Sequence, residues 1–288
     1  MSVDTQTRPA TSPAEPPQGR RPVVRASGAR LLTLWSALWP KLLAIGIVLV
    51  AWQLVYWSGW KPPYALPSPA DVGSELLEMA KGERLWMSIA TTMRRALIGF
   101  TLALTIGTLI GLAVSRVLVL RRAVGSIITG LQTMPSIVWF PLAILMFGLN
   151  EQAIMFVVIL GAAPSIANGV IAGVDHVPPT YVKLGTVLGA KGVSMYRHII
   201  MPAALPSFVS GLSQGWAFSW RSLMAGELLV VIPGVYAVGT DLEFARQLSQ
   251  ASRVVAGMIV ILILGMLVDA IFSKMSREVR RRRGLAVD

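Results

Sequence analysis

Two ionisable residues, Arg221 and Glu227, lie within one apolar run of the sequence at positions 208–232. A charged side chain is costly to expose to lipid, so each should face protein or a water-filled cavity if this run crosses a membrane. An arginine in such a place can bind an anion on a translocation path, or it can form a structural ion pair with a neighbouring helix. The residues alone leave both interpretations open.

Helical geometry places these two charges on different faces. At 100° per residue, Arg221 and Glu227 are about 120° apart around a helix, so they should not pair with each other. Arg221 shares its face with Gln214, whereas Glu227 shares its face with Trp220. With Pro135, a proline inside an earlier apolar run, these residues form the candidate translocation path.

Motifs for catalysis and metal binding are missing from the sequence. It has no cysteine, which excludes thiolate nucleophiles and thiolate metal ligands. Its two histidines, His176 and His198, have no metal-ligand companions at useful spacing. The segment GAKG at 189–192 lacks the spacing and the Ser or Thr after Lys that a phosphate-binding loop requires. We therefore predict no catalytic residue, no metal and no cofactor bound by this chain.

The composition is that of a membrane protein. Of 288 residues, 54% are hydrophobic and 14% are charged, whereas soluble domains carry about 25% charged residues. The net charge of +12 is explained by loops rich in Lys and Arg on the cytoplasmic side of a membrane. No nucleic-acid-binding motif accompanies this charge, so we expect membrane lipid and not nucleic acid as a partner.

Six apolar runs predict an all-α membrane protein with about six transmembrane helices. They cover about residues 42–57, 96–114, 124–147, 153–174, 208–232 and 254–272. Prolines inside the third and fourth runs predict kinked helices. Gly107 and Gly111 form a small-xxx-small pair that allows close helix contact. An amphipathic helix is predicted over 70–81, with Asp71 in its first turn, and a loop is predicted over 233–253.

The membrane domain is predicted to cover residues 36–275, between two basic tails. Residues 1–35 are rich in proline and arginine without an apolar period, which predicts a disordered tail. Residues 276–288 form a second basic tail. An even number of spans puts both tails on one side, and the cytoplasmic side is favoured because it then holds most of the Lys and Arg residues.

A polar segment, residues 179–206, separates the fourth and fifth apolar runs. Gly189 predicts the end of a short helix and a chain reversal, since glycine readily adopts positive φ. Pro202 and Pro206 suit the start of the next helix, where a missing N–H is harmless. We therefore expect two short helices across the cytoplasmic face, where they could dock to a soluble partner.

The same segment resembles the loop EAA-x3-G-x9-I-x-LP of ABC importer permeases. The matching positions are Lys183, Leu184 and Gly185 for EAA, Gly189 for the glycine, Ile199 for the isoleucine, and Met201 with Pro202 for LP. The spacing agrees throughout, while the residue types differ at the three EAA positions and at the leucine. With Ala190, these residues are identified by the resemblance as the ATPase-coupling loop.

Further motifs extend the resemblance over about residues 40–275. They are LPSP at 66–69, RALIGF at 95–100, MPSIVWFPLAILMFG at 134–148, MPAALPSFVSGL at 201–212 and MAGELL at 224–229. Together they look like the nitrate, sulfonate and taurine subgroup of ABC importer permeases.

The resemblance implies a type I ABC importer permease fold with cytoplasmic coupling helices, in the bacterial inner membrane. It implies that the chain is not itself an enzyme, and that it forms a homodimer working with two ATP-binding subunits and a solute-binding protein. The ATPase would bind ATP and Mg, and a small anionic solute would move inward by alternating access.

Two other functions remain as alternatives. An ion-coupled secondary transporter would show an internal repeat and mid-span charges in both halves, and neither is apparent. An intramembrane enzyme would pair His176 or His198 with a serine, but the sequence has no recognisable nucleophile motif.

Overall fold

The computed structural model of this chain describes residues 26–282, which are almost entirely helical. The helices are α1 (Ala26–Trp57), α2 (Pro69–Lys81), α3 (Glu83–Arg116), α4 (Leu118–Thr133), α5 (Phe140–Phe147), α6 (Glu151–Asp175), α7 (Pro179–Val187), α8 (Val193–Met195), α9 (Met201–Leu229), α10 (Val238–Gln247) and α11 (Ala251–Arg282). A 3-10 helix (Ser136–Trp139) precedes α5, and a π-helical segment (Tyr196–Ile200) precedes α9. The predicted all-α class is confirmed.

Within residues 26–282, four helical stretches are long and apolar enough to cross a membrane. They are Trp39–Trp57, Glu83–Ser115, Glu151–Asp175 and Ala251–Val279. A fifth crossing results if α4 and the helical residues up to Phe147 are one span, which is bent by 101° at its break. The predicted kink in the third apolar run is therefore a full break, which falls at Met134 and Pro135.

Helix α9 occupies the remaining predicted span. Its 29 residues would extend about 43 Å, enough to cross a bilayer. It is less apolar than the four stretches above, because it carries buried polar residues such as Ser219, Ser222 and Glu227. These three side chains are covered by neighbouring helices and do not need to contact lipid.

The chain divides into two compact units, with the boundary between Leu54 and Val55. The first unit contains most of α1. That helix begins at Ala26, so the prediction of a disordered tail up to residue 35 is corrected over its last ten positions. Residues 1–25 and 283–288, the rest of the predicted tails, lie outside the described residues.

Helix α6 lies at the centre of the second unit, between α3 and α9. A Cβ added at Gly107 of α3 would be 2.6 Å from the carbonyl oxygen of Ala163 in α6. On the other side of α6, a Cβ added at Gly169 would be 2.6 Å from Cα of Gly211 in α9. Small residues thus allow three helices to pack backbone to backbone, and the predicted small-xxx-small pair serves packing within this chain.

The contacts between α6 and α9 define two ends of the second unit. Gly161 lies beside Ser222, and Gly173 lies beside Ala204, so the two helices are antiparallel. The N-terminus of α6 and the C-terminus of α9 lie at one end, which we call the Arg95 end. The segment 179–200 joins the two helices at the other end, which we call the loop end.

Local sequence features explain several helix ends. Ser68 caps α2, because its hydroxyl accepts the N–H of Asp71 while the Asp71 carboxylate accepts the Ser68 N–H. This agrees with the predicted start of that helix. Two expectations are corrected: α10 lies inside the predicted loop at 233–253, and Pro206 lies inside α9 instead of at its start.

Candidate functional site

A buried ion-pair network lies at the Arg95 end. Arg95 of α3 is only 3% exposed. Its Nε and Nη2 donate to the Glu151 carboxylate at 2.9 and 2.5 Å, and its Nη1 donates to Glu227 Oε1 at 3.0 Å. Asn150 caps α6, which places Glu151 in the first turn of that helix, where a negative charge is favoured. Arg95 therefore ties α3 to both α6 and α9.

The Glu227 carboxylate is fully buried and has several donors. It accepts the hydroxyl of Thr92 at 2.9 Å and the backbone N–H of Gly239 at 3.0 Å, in addition to Arg95. The Thr92 oxygen in turn accepts the N–H of Val238 at 3.0 Å. These two N–H groups lie at the start of α10, where a helix has unsatisfied donors. A buried charge with this many partners forms a structural ion pair.

Sequence reasoning missed the partner of Glu227. The predicted apolar run began at about residue 96 and left Arg95 outside it, whereas α3 begins at Glu83 and carries Arg95 three turns inside. The spacing of Ser88, Thr92, Arg95 and Gly99 places them on one helical face, and this small and polar stripe could have indicated a helix-packing surface.

The five candidate path residues are not brought together by the structure. Glu227 is in the buried network, and Trp220 packs against α11, where a Cβ at Gly265 would be 3.0 Å from the indole nitrogen. Gln214 and Arg221 are exposed on a different face of α9, and Pro135 is exposed at the break before the 3-10 helix. Glu227 and Trp220 are therefore separated from the other three candidates.

Arg221 makes few contacts within its own chain. Its guanidinium carbon lies 5.9 Å from the centre of the Phe218 ring. In the described part of the chain it has no ion-pair partner. Seven positions separate Arg221 from Gln214, which is two helical turns, so the two exposed polar side chains form a stripe along α9.

Further polar groups lie along α4 and α6. Gln132 of α4 donates to the Ser165 hydroxyl of α6 at 3.1 Å, and it accepts from the exposed Asn168 amide at 3.4 Å. Helical periodicity places these two α6 residues on the same side of the α6–α9 contact as Gln214 and Arg221. We call these five residues the polar stripe. Exposed polar groups on membrane-length helices require cover by protein or water.

The loop end contains a compact helical turn. Helix α7 ends in a Schellman motif, because the N–H of Ala190 donates to the Gly185 carbonyl at 2.9 Å and the N–H of Gly189 donates to the Thr186 carbonyl at 3.0 Å. Gly189 has φ of +79°, which is the left-handed conformation that this motif requires. The helix therefore ends where the sequence predicted.

Gly185 holds α7 against the following segment. It is buried, and a Cβ there would be 2.2 Å from Cδ1 of Ile199 and 2.8 Å from Sδ of Met195. Lys183 and Leu184, its companions in the EAA-like triplet, are exposed. Two of the predicted coupling residues thus pack together, while the other members of the triplet face outward.

The remaining predicted loop residues surround this contact. Ala190 is half-buried in the turn, Met201 is exposed, and Pro202 lies in the first turn of α9. Next to them is a groove of about 270 Å³, lined by Tyr181, Leu184, Gly185, Leu188, His198, Ile199, Pro202 and Ala203. The loop end therefore has a concave and mostly apolar surface.

The outer side of the loop end is also apolar. Val187 is 85% exposed and Leu188 is 75% exposed, and Val193 is similarly accessible. Large apolar side chains exposed together mark an interaction surface.

No metal centre is apparent in residues 26–282, where no group of three or more His, Asp or Glu side chains could hold an ion. His176 Nδ1 lies 2.7 Å from the Ala172 carbonyl, and His198 Nδ1 lies 3.1 Å from the Ser194 carbonyl. Membrane-length helices, a polar stripe and an exposed apolar surface at the loop end together describe a multi-pass membrane protein.

The chain belongs to the family described as the binding-protein-dependent transport system inner membrane component, whose model matches residues 103–281. It is 30% identical to the putative aliphatic sulfonates transport permease protein SsuC of Escherichia coli K12, over 80% of this chain and 86% of that protein. It is 26% identical to the taurine transport system permease protein TauC of the same organism, over 78% of this chain and 82% of that protein.

Solved structures share the fold. An inward-facing structure of the MetNI methionine ABC transporter matches with a TM-score of 0.52 and 22% identity, over 68% of this chain and 94% of that chain. A crystal structure of an amino acid ABC transporter matches with a TM-score of 0.54 and 19% identity, over 72% of this chain and 98% of that chain. The predicted type I importer permease fold is confirmed.

Proposed function

We propose that this chain is the permease subunit of an ATP-driven importer for a small anion of the sulfonate, taurine or nitrate class. The names of its relatives support this substrate class, since they include sulfonate, taurine and nitrate permeases. Arg221 is exposed and has no ion-pair partner among residues 26–282. This supports an anionic solute, because a guanidinium binds oxyanions through charge-assisted hydrogen bonds.

The geometry of the loop end is the observation that carries the proposal. The Schellman turn at Gly189 and the contact of Gly185 with Ile199 make α7 and the π-helical segment one rigid piece. That segment continues directly into α9, which packs along α6. A soluble ATPase that seats α7 can therefore move both helices. ATP and Mg would bind to the partner, and this chain would carry no cofactor.

The polar stripe supports a homodimer with a shared path. A single chain leaves Gln214, Arg221 and Asn168 exposed, which is unfavourable in lipid. A second copy that faces the same stripe would cover these groups and enclose a polar passage between the two chains. Alternating access then corresponds to opening this passage at one end or the other.

The orientation follows from charge. We place the loop end and both termini in the cytoplasm of a bacterium, in agreement with the positive-inside rule. The Arg95 end then faces outward, where a solute-binding protein would deliver the solute. The complete importer would contain two permease chains, two ATP-binding subunits and that binding protein.

A pair of substitutions at Gly189 tests the coupling role. Gly189→Val forces a β-branched residue into φ of +79°, whereas Gly189→Asn keeps a residue type that tolerates this conformation. A strain of about 1–2 kcal/mol should lower ATP-driven uptake of radiolabelled taurine or sulfonate about tenfold or more in the valine variant. The asparagine variant should retain most of the uptake.

Controls separate coupling from assembly and from ion-driven transport. Both variants should be present in the membrane in equal amounts. Uptake by the unaltered chain should stop when ATP is depleted and persist when the proton gradient is removed. Equal ATP-driven uptake by the two variants would contradict a coupling role of this turn.

A further inference from the structure

The segment 179–200 at the loop end carries positive charge only. Lys183, Lys191 and Arg197 are all exposed. The sequence contains no Asp or Glu between Asp175 and Glu227, and no ion pair to these three cations occurs within residues 26–282. These cations are therefore not neutralised by any side chain of residues 26–282, in contrast to the buried Arg95, which pairs with two carboxylates.

The cations border the apolar docking surface. Gly185 points into the loop, so Lys183 and Val187 project from the opposite face of α7, one turn apart. Lys191 lies in the turn between Gly189 and Gly192, both with positive φ. These two lysines therefore lie beside exposed apolar side chains.

The third cation lies on the π-helical segment. Arg197 is exposed there, while Met195 and Ile200 on either side of it are buried. It is thus on the outer side of the segment that Gly185 holds against α7. All three cations belong to the one rigid piece formed by α7, the turn and the π-helical segment.

We propose that the ATPase that docks here has an apolar groove bordered by carboxylates, and that Lys183, Lys191 and Arg197 select this partner by charge. The inference rests on the proposed function. Apolar burial at Val187 and Leu188 would supply most of the contact area. Complementary charges at the border of an interface mainly set association rate and specificity, and like charges exclude the wrong partner.

Anionic lipid headgroups are the other possible acceptor of these charges. A helix that lies in a membrane interface needs a continuous apolar face over several turns. Helix α7 has nine residues, and its outward face combines Lys183 with Val187 within one turn. The short and mixed face favours a protein groove over a lipid surface.

Salt dependence tests the charge contribution. The full-length chain, with the ATPase subunit that copurifies with it, is placed in nanodiscs of phosphatidylcholine. Dissociation of the ATPase is measured between about 50 and 300 mM NaCl, a range that shortens the Debye length appreciably. The variant with Lys183→Gln, Lys191→Gln and Arg197→Gln should bind about tenfold more weakly at low salt and lose most of its salt dependence.

A matched control is Lys274→Gln, which removes one exposed cation from α11 outside the loop. It should change neither the binding of the ATPase at low salt nor the salt dependence of that binding. Binding by the triple variant that equals the unaltered chain at every salt concentration would overturn the inference. If the triple variant differed from the unaltered chain only in nanodiscs that also contain phosphatidylglycerol, the three cations would be assigned to lipid. That result would also overturn the inference. Failure of any ATPase to copurify would reject the proposed function itself.

Zero-length crosslinking identifies the acceptor. A carbodiimide activates a carboxylate, and a nearby lysine amine then forms an amide bond while the reagent leaves as a urea and takes up the carboxylate oxygen. We expect mass spectrometry to find Lys183 or Lys191 joined to Asp or Glu residues of the ATPase. Lys183→Arg and Lys191→Arg keep the charge and remove the reactive amine, so they should bind normally without crosslinking. An intact complex that gives no such link, and whose binding is insensitive to salt, would overturn the proposal.

Discussion

The two ends of the helical unit treat charge in opposite ways. At the Arg95 end, a fully buried carboxylate meets a guanidinium, a hydroxyl and a backbone N–H. At the loop end, three cations are exposed, and apolar side chains such as Val187 lie beside them in the open. The Arg95 end thus pairs its buried charges within the chain, whereas the loop end presents groups that a second molecule can satisfy.

The difference has a physical consequence for movement. Separating Arg95 from Glu227 would leave a charge in a region of low dielectric constant, which is strongly unfavourable. We therefore expect α3, α9 and α10 to stay together at the Arg95 end during transport. Among the residues that the structure describes, the loop end has no comparable network, so its position should respond to the state of a bound partner.

The largest effect is expected from breaking the buried network. Glu227→Gln removes the charge that faces Arg95 and should lower the free energy of unfolding by about 3–5 kcal/mol. Thermal unfolding in detergent, followed by light scattering or intrinsic fluorescence, measures this change.

Glu243→Gln in α10 is the matched control. The side chain of Arg246, and to a lesser extent that of Gln247, donates hydrogen bonds to the Glu243 carboxylate and lowers its pKa to about 2. The Glu243 carboxylate is therefore also charged at neutral pH. Its partner is largely exposed, and we expect little change in unfolding. If the two substitutions lowered the free energy of unfolding equally, burial of the Glu227 carboxylate would not explain the stability of the Arg95 end.

A medium effect is expected between the two ends, at Arg221. Arg221→Ala should raise the KM for an anionic solute about tenfold, since a hydrogen bond to a charged group contributes about 1.5–3 kcal/mol. Arg221→Lys should keep most of the affinity. Thermal unfolding should not change, because Arg221 is exposed and unpaired within the described residues. Uptake into proteoliposomes supplies the measurement, and unchanged uptake by the alanine variant would exclude a solute contact.

The smallest effect is expected from the ion pair at the loop end. Arg121 of α4 pairs with Asp175 of α6, and their side chains are 44% and 29% exposed. Such pairs contribute about 0–1 kcal/mol and are screened by salt. Arg121→Gln should therefore lower the free energy of unfolding by less than about 1 kcal/mol. At high salt the variant and the unaltered chain should be equally stable. A loss as large as that of Glu227→Gln would show that the loop end is locked as firmly as the Arg95 end.

The sequence predicted elements whose cause is local. Serine and aspartate at Ser68 and Asp71 indicated the start of α2, and Gly189 indicated the end of α7, because caps and turns depend on neighbouring residues alone. Apolar periodicity indicated the membrane helices for the same reason. Helix α10 was missed, since its residues are mostly polar and its first N–H groups are satisfied by the distant Glu227 and Thr92.

The positions of the five candidate path residues were predicted only in part. Helical geometry correctly separated Arg221 from Glu227, but it could not say which charge would have a partner. Arg95 lies 132 positions from Glu227 along the chain. Their pairing depends on how α3 packs against α6 and α9, which no local pattern encodes.

Composition, periodicity and spacing were enough to predict an all-α membrane protein, its apolar helices and the glycine turn at Gly189, because these signals act within a few residues. Which charges are buried and paired, which are exposed, and how closely the helices approach at Gly169 and Gly211 became known from the packing of distant segments. The physical reason is that the free energy of a charge depends on its surroundings, and packing between distant segments creates those surroundings.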